Sequence, residues 1–371
     1  HDEIASRGFL ERDIMLATAL VDMYAKCGVF AKAREVLREI PIRNVITWNA
    51  LIAGYTYYGH GHEAFNCLEQ MQSEGLSPDV VTFICILKAC GTIGAVDIGK
   101  QIHNEIVSKG LMNASPALGN SLMDMYARCC RLIEAQQVHD HLHIRDVVSW
   151  STLIAGYVQQ GQDYEALNCF ESMQGENVDP NAVTFAYILK ACGSIGVIDK
   201  GKQIHDEIVS RAMLGNDVVL GNSLVDMYAK CGYLAKAKQV FEELPARDVV
   251  SWTTLIAGYA QQGEFHEAMN CLERMEDEEI SPNAATYAGI LKACASARAI
   301  NEGKQIHIEI IHRSLFQKDI VVGNALVDMY AKCGLLTEAH CVLEELPLRD
   351  VVSWSAIISG YAEQEQGHEA L

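Results

Sequence analysis

A histidine followed two residues later by a glutamate recurs at His103–Glu105, His205–Glu207 and His307–Glu309, and opens the chain at His1–Glu3. In zinc deaminases an H-x-E histidine holds the metal, its glutamate moves protons, and a P-C-x-x-C run supplies the remaining ligands. That second half is absent, because none of the thirteen cysteines forms a C-x-x-C pair. Each match also lies 102 residues from the next, so it recurs with a longer pattern and reads as helix packing or surface. No P-loop, G-x-S-x-G or H-E-x-x-H pattern appears. The reading is therefore of no catalytic residue, no metal site and no cofactor.

The remaining cysteines follow the same logic. Ten occupy repeated positions: Cys27, Cys129, Cys231, Cys333; Cys67, Cys169, Cys271; and Cys90, Cys192, Cys294. One thiol per helix-sized segment reads as a small buried apolar residue in a reducing compartment. Half of the 371 residues are hydrophobic and no low-complexity tract occurs, which supports an extensive core. No apolar run approaches the roughly 18 residues a membrane helix needs, and the first residues do not read as a secretory leader. The formal charge of −19 argues against gripping nucleic acid by bulk charge and leaves room for a local basic track.

The step of 102 residues links Trp48, Trp150, Trp252 and Trp354, then Lys100, Lys202 and Lys304, then Asn120, Asn222 and Asn324. It also carries "LVDMYAKCG" from 20–28 to 224–232 and 326–334, with "LMDMYARCC" at 122–130. Such self-similarity must be read before domains are counted. Each 102-residue block divides into segments of 31, 35 and 36 residues, each with two helical periodicities. In 218–248, Leu224, Met227 and Tyr228 share one face. Ala237, Val240, Phe241 and Leu244 share another, and Gly232 lies between. Pro41, Pro245 and Pro347, with Pro78, Pro180 and Pro282, follow second helices, while Pro116 opens a segment. One helical hairpin cannot bury both its faces, so stacked hairpins form an all-α solenoid.

Ten complete repeats follow: 14–44, 45–79, 80–115, 116–146, 147–181, 182–217, 218–248, 249–283, 284–319 and 320–350. Residues 1–13 match the tail of a 36-residue repeat and 351–371 the beginning of a 35-residue one, as expected of a piece of something longer. Its uncapped apolar ends would then favour end-to-end association.

The segments "VVSWTTLIAGYAQQG", "LKACGSIGVIDKGKQIH" and "NSLVDMYAKCG" resemble the pentatricopeptide repeat family. The alternation of 35-, 36- and 31-residue repeats (P, L and S) resembles its PLS subclass of plant organelles. The likeness covers essentially the whole chain. It implies a right-handed superhelix that binds single-stranded RNA, one base per repeat, with base choice made by the fifth and last residues. Amides and hydroxyls at those positions can reach the Watson–Crick edge of an unpaired base.

Carried over repeat by repeat, Thr18 with Asn44, Ser151 with Asn181, and Thr253 with Asn283 imply A. Asn49 with Asp79, Asn120 with Asp146, Asn222 with Asp248, and Asn324 with Asp350 imply U. The 36-residue repeats carry Ile84, Ala186 and Ala288 as fifth residues, paired with Ser115, Asp217 and Asp319. An aliphatic side chain offers a base no hydrogen bond, so these repeats are expected not to read. The implied target is 5′-A-U-n-U-A-n-U-A-n-U-3′.

The resemblance also assigns second residues to sandwiching the base: Ile46, Val148, Val219, Val250 and Val321, with Met15 and Ala117 departing from the branched pattern. The thirteenth residues Lys26, Arg128, Lys230 and Lys332 lie roughly 800° of helix rotation past the fifth, about 80° from the base-facing direction. There a long side chain could reach a phosphate, or simply favour the helix dipole.

In the PLS subclass such readers place a C-to-U RNA editing activity in mitochondria or chloroplasts. Accessory editing proteins are expected partners, docking on the 36-residue repeats. The alternative is a protein-binding solenoid scaffold, for which −19 would suit a basic ligand. That reading gives no reason for seven pairs to be restricted to Asn, Thr or Ser followed by Asp or Asn.

Overall fold

The computed structural model describes residues 13–112, 115–215 and 217–364, so nearly all of the partial repeat 1–13, with His1–Glu3, and the last seven residues of 351–371 lie outside the described residues. Among the described residues there are 21 α-helices and no strand. In the N-terminal part they are α1 (Ile14–Lys26), α2 (Phe30–Glu39), α3 (Val45–Tyr57), α4 (Gly61–Ser73), α5 (Val80–Ile93), α6 (Val96–Ser108), α7 (Pro116–Arg128), α8 (Leu132–His141), α9 (Val147–Gln159), α10 (Asp163–Gly175) and α11 (Ala182–Ile195). Then come α12 (Ile198–Ser210), α13 (Val218–Lys230), α14 (Leu234–Glu243), α15 (Val249–Gln262), α16 (Phe265–Asp277), α17 (Ala284–Ala297), α18 (Ile300–His312), α19 (Ile320–Lys332), α20 (Leu336–Glu345) and α21 (Val351–Glu363). The chain forms two compact bodies divided within α11, one ending at Ile188 and the other beginning at Leu189.

Each body is a solenoid of hairpins. In the first, α1, α3, α5, α7 and α9 pack in succession into one layer, each also covered by the helix that follows it. In the second, α13, α15, α17, α19 and α21 pack in succession in the same way, and the first four are each covered by the helix that follows. No helix among the described residues is long and apolar enough to cross a membrane.

The repeated "LVDMYAKCG" shows how the layers lock. Leu224 and Met227 are fully buried. A Cβ on Gly201 of α12 would meet the Met227 sulfur at 2.6 Å, so glycine there lets the methionine in. Ala229 makes the matching contact with Gly258 of α15, where an added Cβ would lie 2.5 Å from the alanine methyl. The Tyr228 hydroxyl lies 2.8 Å from His205 Nδ1, and the Cys231 thiol reaches the Cys192 carbonyl at 3.8 Å. Gly232 then turns the chain at φ +80°; in the second copy Cys130 takes that left-handed conformation at φ 58°, a cost of about 1–2 kcal/mol for a residue with a Cβ.

The H-x-E histidines are thus packing residues: His103, His205 and His307 each hydrogen-bond the tyrosine of the next hairpin, at 2.8, 2.8 and 2.9 Å. Burial pushes the core thiols up, Cys90, Cys169, Cys271 and Cys294 to about 12, so they stay protonated and inert.

One core position is anomalous. His139 is 1% exposed where sister hairpins place Leu37, Phe241 and Leu343. Its ring sits 4.3 Å from Trp150, as Phe241 sits 4.6 Å from Trp252. Asp140 approaches Nδ1 only to 3.8 Å, beyond hydrogen-bond reach, so neither ring nitrogen has a partner. Burial holds the pKa of His139 below 6.5, and does the same for His103, His205 and His307.

A depressed folded value means that the unfolded chain binds these protons first. Their contribution is whole above about pH 6.5 and is lost as pH falls below it. Thermal unfolding should therefore show a flat midpoint from about pH 8 to 7 and a decline below about 6.5. His139→Phe should raise stability by about 1–3 kcal/mol, by removing two unpaired buried nitrogens, and should shrink the acid decline. An unchanged midpoint in His139→Phe would contradict this packing.

Candidate nucleic-acid interface

The last residue of each expected reading pair is also the N-cap of the next first helix. Asn44, Asp79, Asp146, Asp248, Asn283 and Asp350 each accept a hydrogen bond from the backbone N–H three residues on, and Asn181 does so at 2.9 Å. Capping of this kind stabilises a helix by ~1 kcal/mol and fixes the side chain at the helix mouth.

The cap's third residue is a hydroxyl in every case: Thr47, Thr82, Ser149, Thr184, Ser251, Thr286 and Ser353, all at most 1% exposed. In five of the seven it ties the cap to the fifth residue of the preceding hairpin. Thr82 Oγ1 donates to Asn49 Oδ1 at 2.7 Å, and Ser353 Oγ donates to Asn324 Oδ1 at 2.5 Å. Thr18 and Thr47 hydroxyls lie 2.9 Å apart, Ser151 and Thr184 2.7 Å, Thr253 and Thr286 2.8 Å. Where the fifth residue is Ile84, Ala186 or Ala288, the corresponding third residues are Leu118, Leu220 and Val322. The amide or hydroxyl at the fifth position and the hydroxyl at the next third position therefore occur together or not at all.

Fifth and last residues meet directly in two of the four Asn–Asp pairs. Asn49 Nδ2 donates to Asp79 Oδ1 at 3.0 Å, and Asn324 Nδ2 to Asp350 Oδ1 at 3.1 Å. Asp79 Oδ1 also accepts from the Thr82 N–H and shares the single Thr82 hydroxyl proton with Asn49 Oδ1, so none of these bonds uses Oδ2. Partial burial pushes the Asp79 carboxyl up, but the Thr82 N–H, the Asn49 amide and the Thr82 hydroxyl outweigh it, leaving the pKa below its ordinary value. Asp248 shows the same balance, and at Asp350 the Ser353 N–H lowers the pKa first. These groups are carboxylates at neutral pH. Asn120 and Asn222 each keep a buried Oδ1 with no partner.

The hydroxyl pairs leave different atoms over. Ser151 and Thr253 donate to the carbonyls of Val147 and Val249, both at 2.6 Å, so their oxygens remain as acceptors. In Asn181 and Asn283 the cap uses Oδ1, which leaves the Nδ2 donor.

The second residues are apolar and exposed: Ile46 at 65%, Val148 at 49%, Val219 at 69%, Val250 and Val321 at 52%. Met15 and Ala117 are exposed too, as are Val81 and Val183 of the 36-residue repeats, which the sequence reading left out. Within the first body, Met15, Thr18, Asn44, Ile46 and Asn49 line one open groove of about 500 Å³. Within the second, Val321, Asn324, Lys332, Asp350 and Val352 line another of about 580 Å³.

Lys26, Arg128, Lys230 and Lys332 project from the last turn of their helices, each paired with the aspartate one turn earlier. The distances are 2.7, 2.9, 2.7 and 2.9 Å to Asp22, Asp124, Asp226 and Asp328. Such exposed i,i+4 pairs are worth only about 0.3–0.5 kcal/mol, so a phosphate could displace the aspartate. Among the described residues no group of three or more His, Cys, Asp or Glu could hold a metal ion.

Sequence models of the PPR repeat family match residues 43–92, 145–194 and 247–296, and those of the PPR repeat match 17–45, 222–249, 324–351 and 352–371. The chain belongs to the PPR repeat family. A chloroplastic pentatricopeptide repeat-containing protein of Arabidopsis thaliana is 36% identical over 97% of this chain and 58% of its own. A mitochondrial one is 35% identical over 95% of this chain and 51% of its own. This chain thus spans about half the length of the curated family members it matches. In fold it is similar to PPR10 in complex with an 18-nt psaJ RNA element, with a TM-score of 0.77 at 20% identity over 95% of this chain and 54% of that one.

Proposed function

We propose that the chain binds single-stranded RNA and reads one base at each of its seven Asn, Thr or Ser with Asp or Asn pairs. The observation that carries the reading is the set of atoms the caps leave over. In an Asn–Asp pair, Asp Oδ2 is an anionic acceptor and the second Nδ2 hydrogen of Asn is a donor. Uracil offers a complementary N3–H and a carbonyl, whereas cytosine turns a lone pair at N3 toward the carboxylate. In a Thr or Ser with Asn pair, the free Nδ2 suits adenine N1 and the hydroxyl oxygen accepts from its N6–H. The exposed second residues flank the base with apolar surface, and Lys26, Arg128, Lys230 and Lys332 exchange aspartate for phosphate. The target is 5′-A-U-n-U-A-n-U-A-n-U-3′.

The RNA bound by the similarly folded PPR10 supports the ligand class, and the chloroplastic and mitochondrial relatives support an organellar site of action. The PLS alternation extends the reading to the recognition part of a C-to-U editing factor. Because the proposed contacts use the Watson–Crick edges, the target annealed to its complement should bind roughly ten times more weakly, or worse, than the free strand. Equal competition by strand and duplex, measured by fluorescence anisotropy, would refute base-edge readout.

A further inference from the structure

The ninth residue of the first helices separates the three repeat classes by charge. It is Asp22, Asp124, Asp226 and Asp328 in the 31-residue repeats, Ala53, Ala155 and Ala257 in the 35-residue repeats, and Lys88, Lys190 and Lys292 in the 36-residue repeats. Among the described residues, the only other Lys or Arg on any first helix are Lys26, Arg128, Lys230 and Lys332, each held by its aspartate. The acids within the described first helices are those four aspartates and Glu363, and Asp79, Asp146, Asp248 and Asp350 add carboxylates at the helix mouths. The lysines at 88, 190 and 292 are exposed, and no acid stands on α5, α11 or α17 themselves; Asp328, which shares the groove with Lys292, is paired with Lys332.

Their placement is equally regular. Four residues past the fifth is about one helical turn, so each lysine stands on the same face as Ile84, Ala186 or Ala288. Lys292 lines the groove of the second body together with Ala288, Asn324 and Asp350.

We infer that Lys88, Lys190 and Lys292 are dedicated RNA phosphate contacts, so that the 36-residue repeats hold the strand's backbone where they do not read its base. This rests on the proposed RNA function and adds a role for the repeats that lack a readable pair. An aliphatic fifth residue makes no demand on the base, and an ammonium one turn away neutralises the passing phosphate without choosing sequence.

The test is the salt dependence of binding by Lys88→Gln/Lys190→Gln/Lys292→Gln, with the predicted ten-mer and a version with every A and U exchanged. Each phosphate contact to a single strand contributes about 0.7 to the slope of log K against log salt. The triple variant should lower that slope by about 2, and its deficit relative to wild type should grow roughly a hundredfold from about 1 M to about 0.1 M salt. Both RNAs should weaken equally, leaving the preference between them intact.

The control is Lys100→Gln/Lys202→Gln/Lys304→Gln, on second helices, which makes the same change in net charge. An unchanged slope in the first variant, or an equal fall in the control, would overturn the inference. Loss of preference in wild type would instead refute base reading and leave the slope comparison meaningful.

Discussion

Asn222→Thr combined with Asp248→Asn is expected to move the preference at the seventh base of the target from U to A. The substitution builds a combination that the fold already holds. Thr253 with Asn283 and Thr18 with Asn44 occupy equivalent positions, each with a capping amide and a neighbouring hydroxyl. The amide oxygen introduced at position 248 would still accept from the Ser251 N–H, as Asp248 does at 2.9 Å. Threonine is smaller than asparagine and would enter a site only 8% exposed, so no overpacking arises. What changes is the chemistry left over: an anionic acceptor becomes an amide donor, and an amide becomes a hydroxyl oxygen. A well-made contact to a base edge discriminates by about 1–3 kcal/mol, or roughly 5- to 150-fold. Affinities for two ten-mers differing only at that base should invert. Retention of the U preference by a folded double variant would show that these atoms do not read the base.

Removing one bridging hydroxyl should do comparable damage. Thr82→Val keeps the volume and the backbone N–H that Asp79 caps, but deletes the hydroxyl that bonds Asn49 Oδ1 at 2.7 Å and Asp79 Oδ1 at 2.9 Å. Asn49 is 7% exposed, so its carbonyl oxygen has little water to turn to. An unsatisfied buried acceptor costs about 1–3 kcal/mol. Denaturant unfolding should register that loss, and discrimination at the second base should fall because the Asn49 amide is then held only through its Nδ2 bond to Asp79. A variant as stable and as selective as wild type would mean that the hydroxyl neither supports nor orients the pair.

These predictions depend on residues that differ in how plainly the sequence announces them. The hairpin order was legible because Gly232, Pro245 and the step between tryptophans all punctuate the same boundaries, and backbone chemistry at turns is local. The paired positions were legible only through family resemblance; nothing local says that Asn49 and Asp79, thirty residues apart, come within 3.0 Å. The capping role was within reach, since an Asp or Asn three residues before Ser or Thr is a helix-start pattern.

The bridge itself was missed. Thr82 and Ser353 look like ordinary first-turn residues, and their long-range partners follow from stacking, which periodicity does not specify. A signal did exist: a hydroxyl follows every polar fifth residue, and Leu118, Leu220 and Val322 follow the aliphatic ones. The pairing of Lys230 with Asp226 was also overlooked, although four residues on a helix is contact distance. His139 was invisible because its identity conflicts with its burial, and only packing reveals the conflict.

The most direct test is a titration at moderate salt of the predicted ten-mer against the version with every A and U exchanged. Seven readable pairs should make the matched strand bind more tightly by roughly two orders of magnitude or more, even if each contributes only about 0.5 kcal/mol. Equal affinity for the two strands would contradict the claim that capped polar pairs read bases.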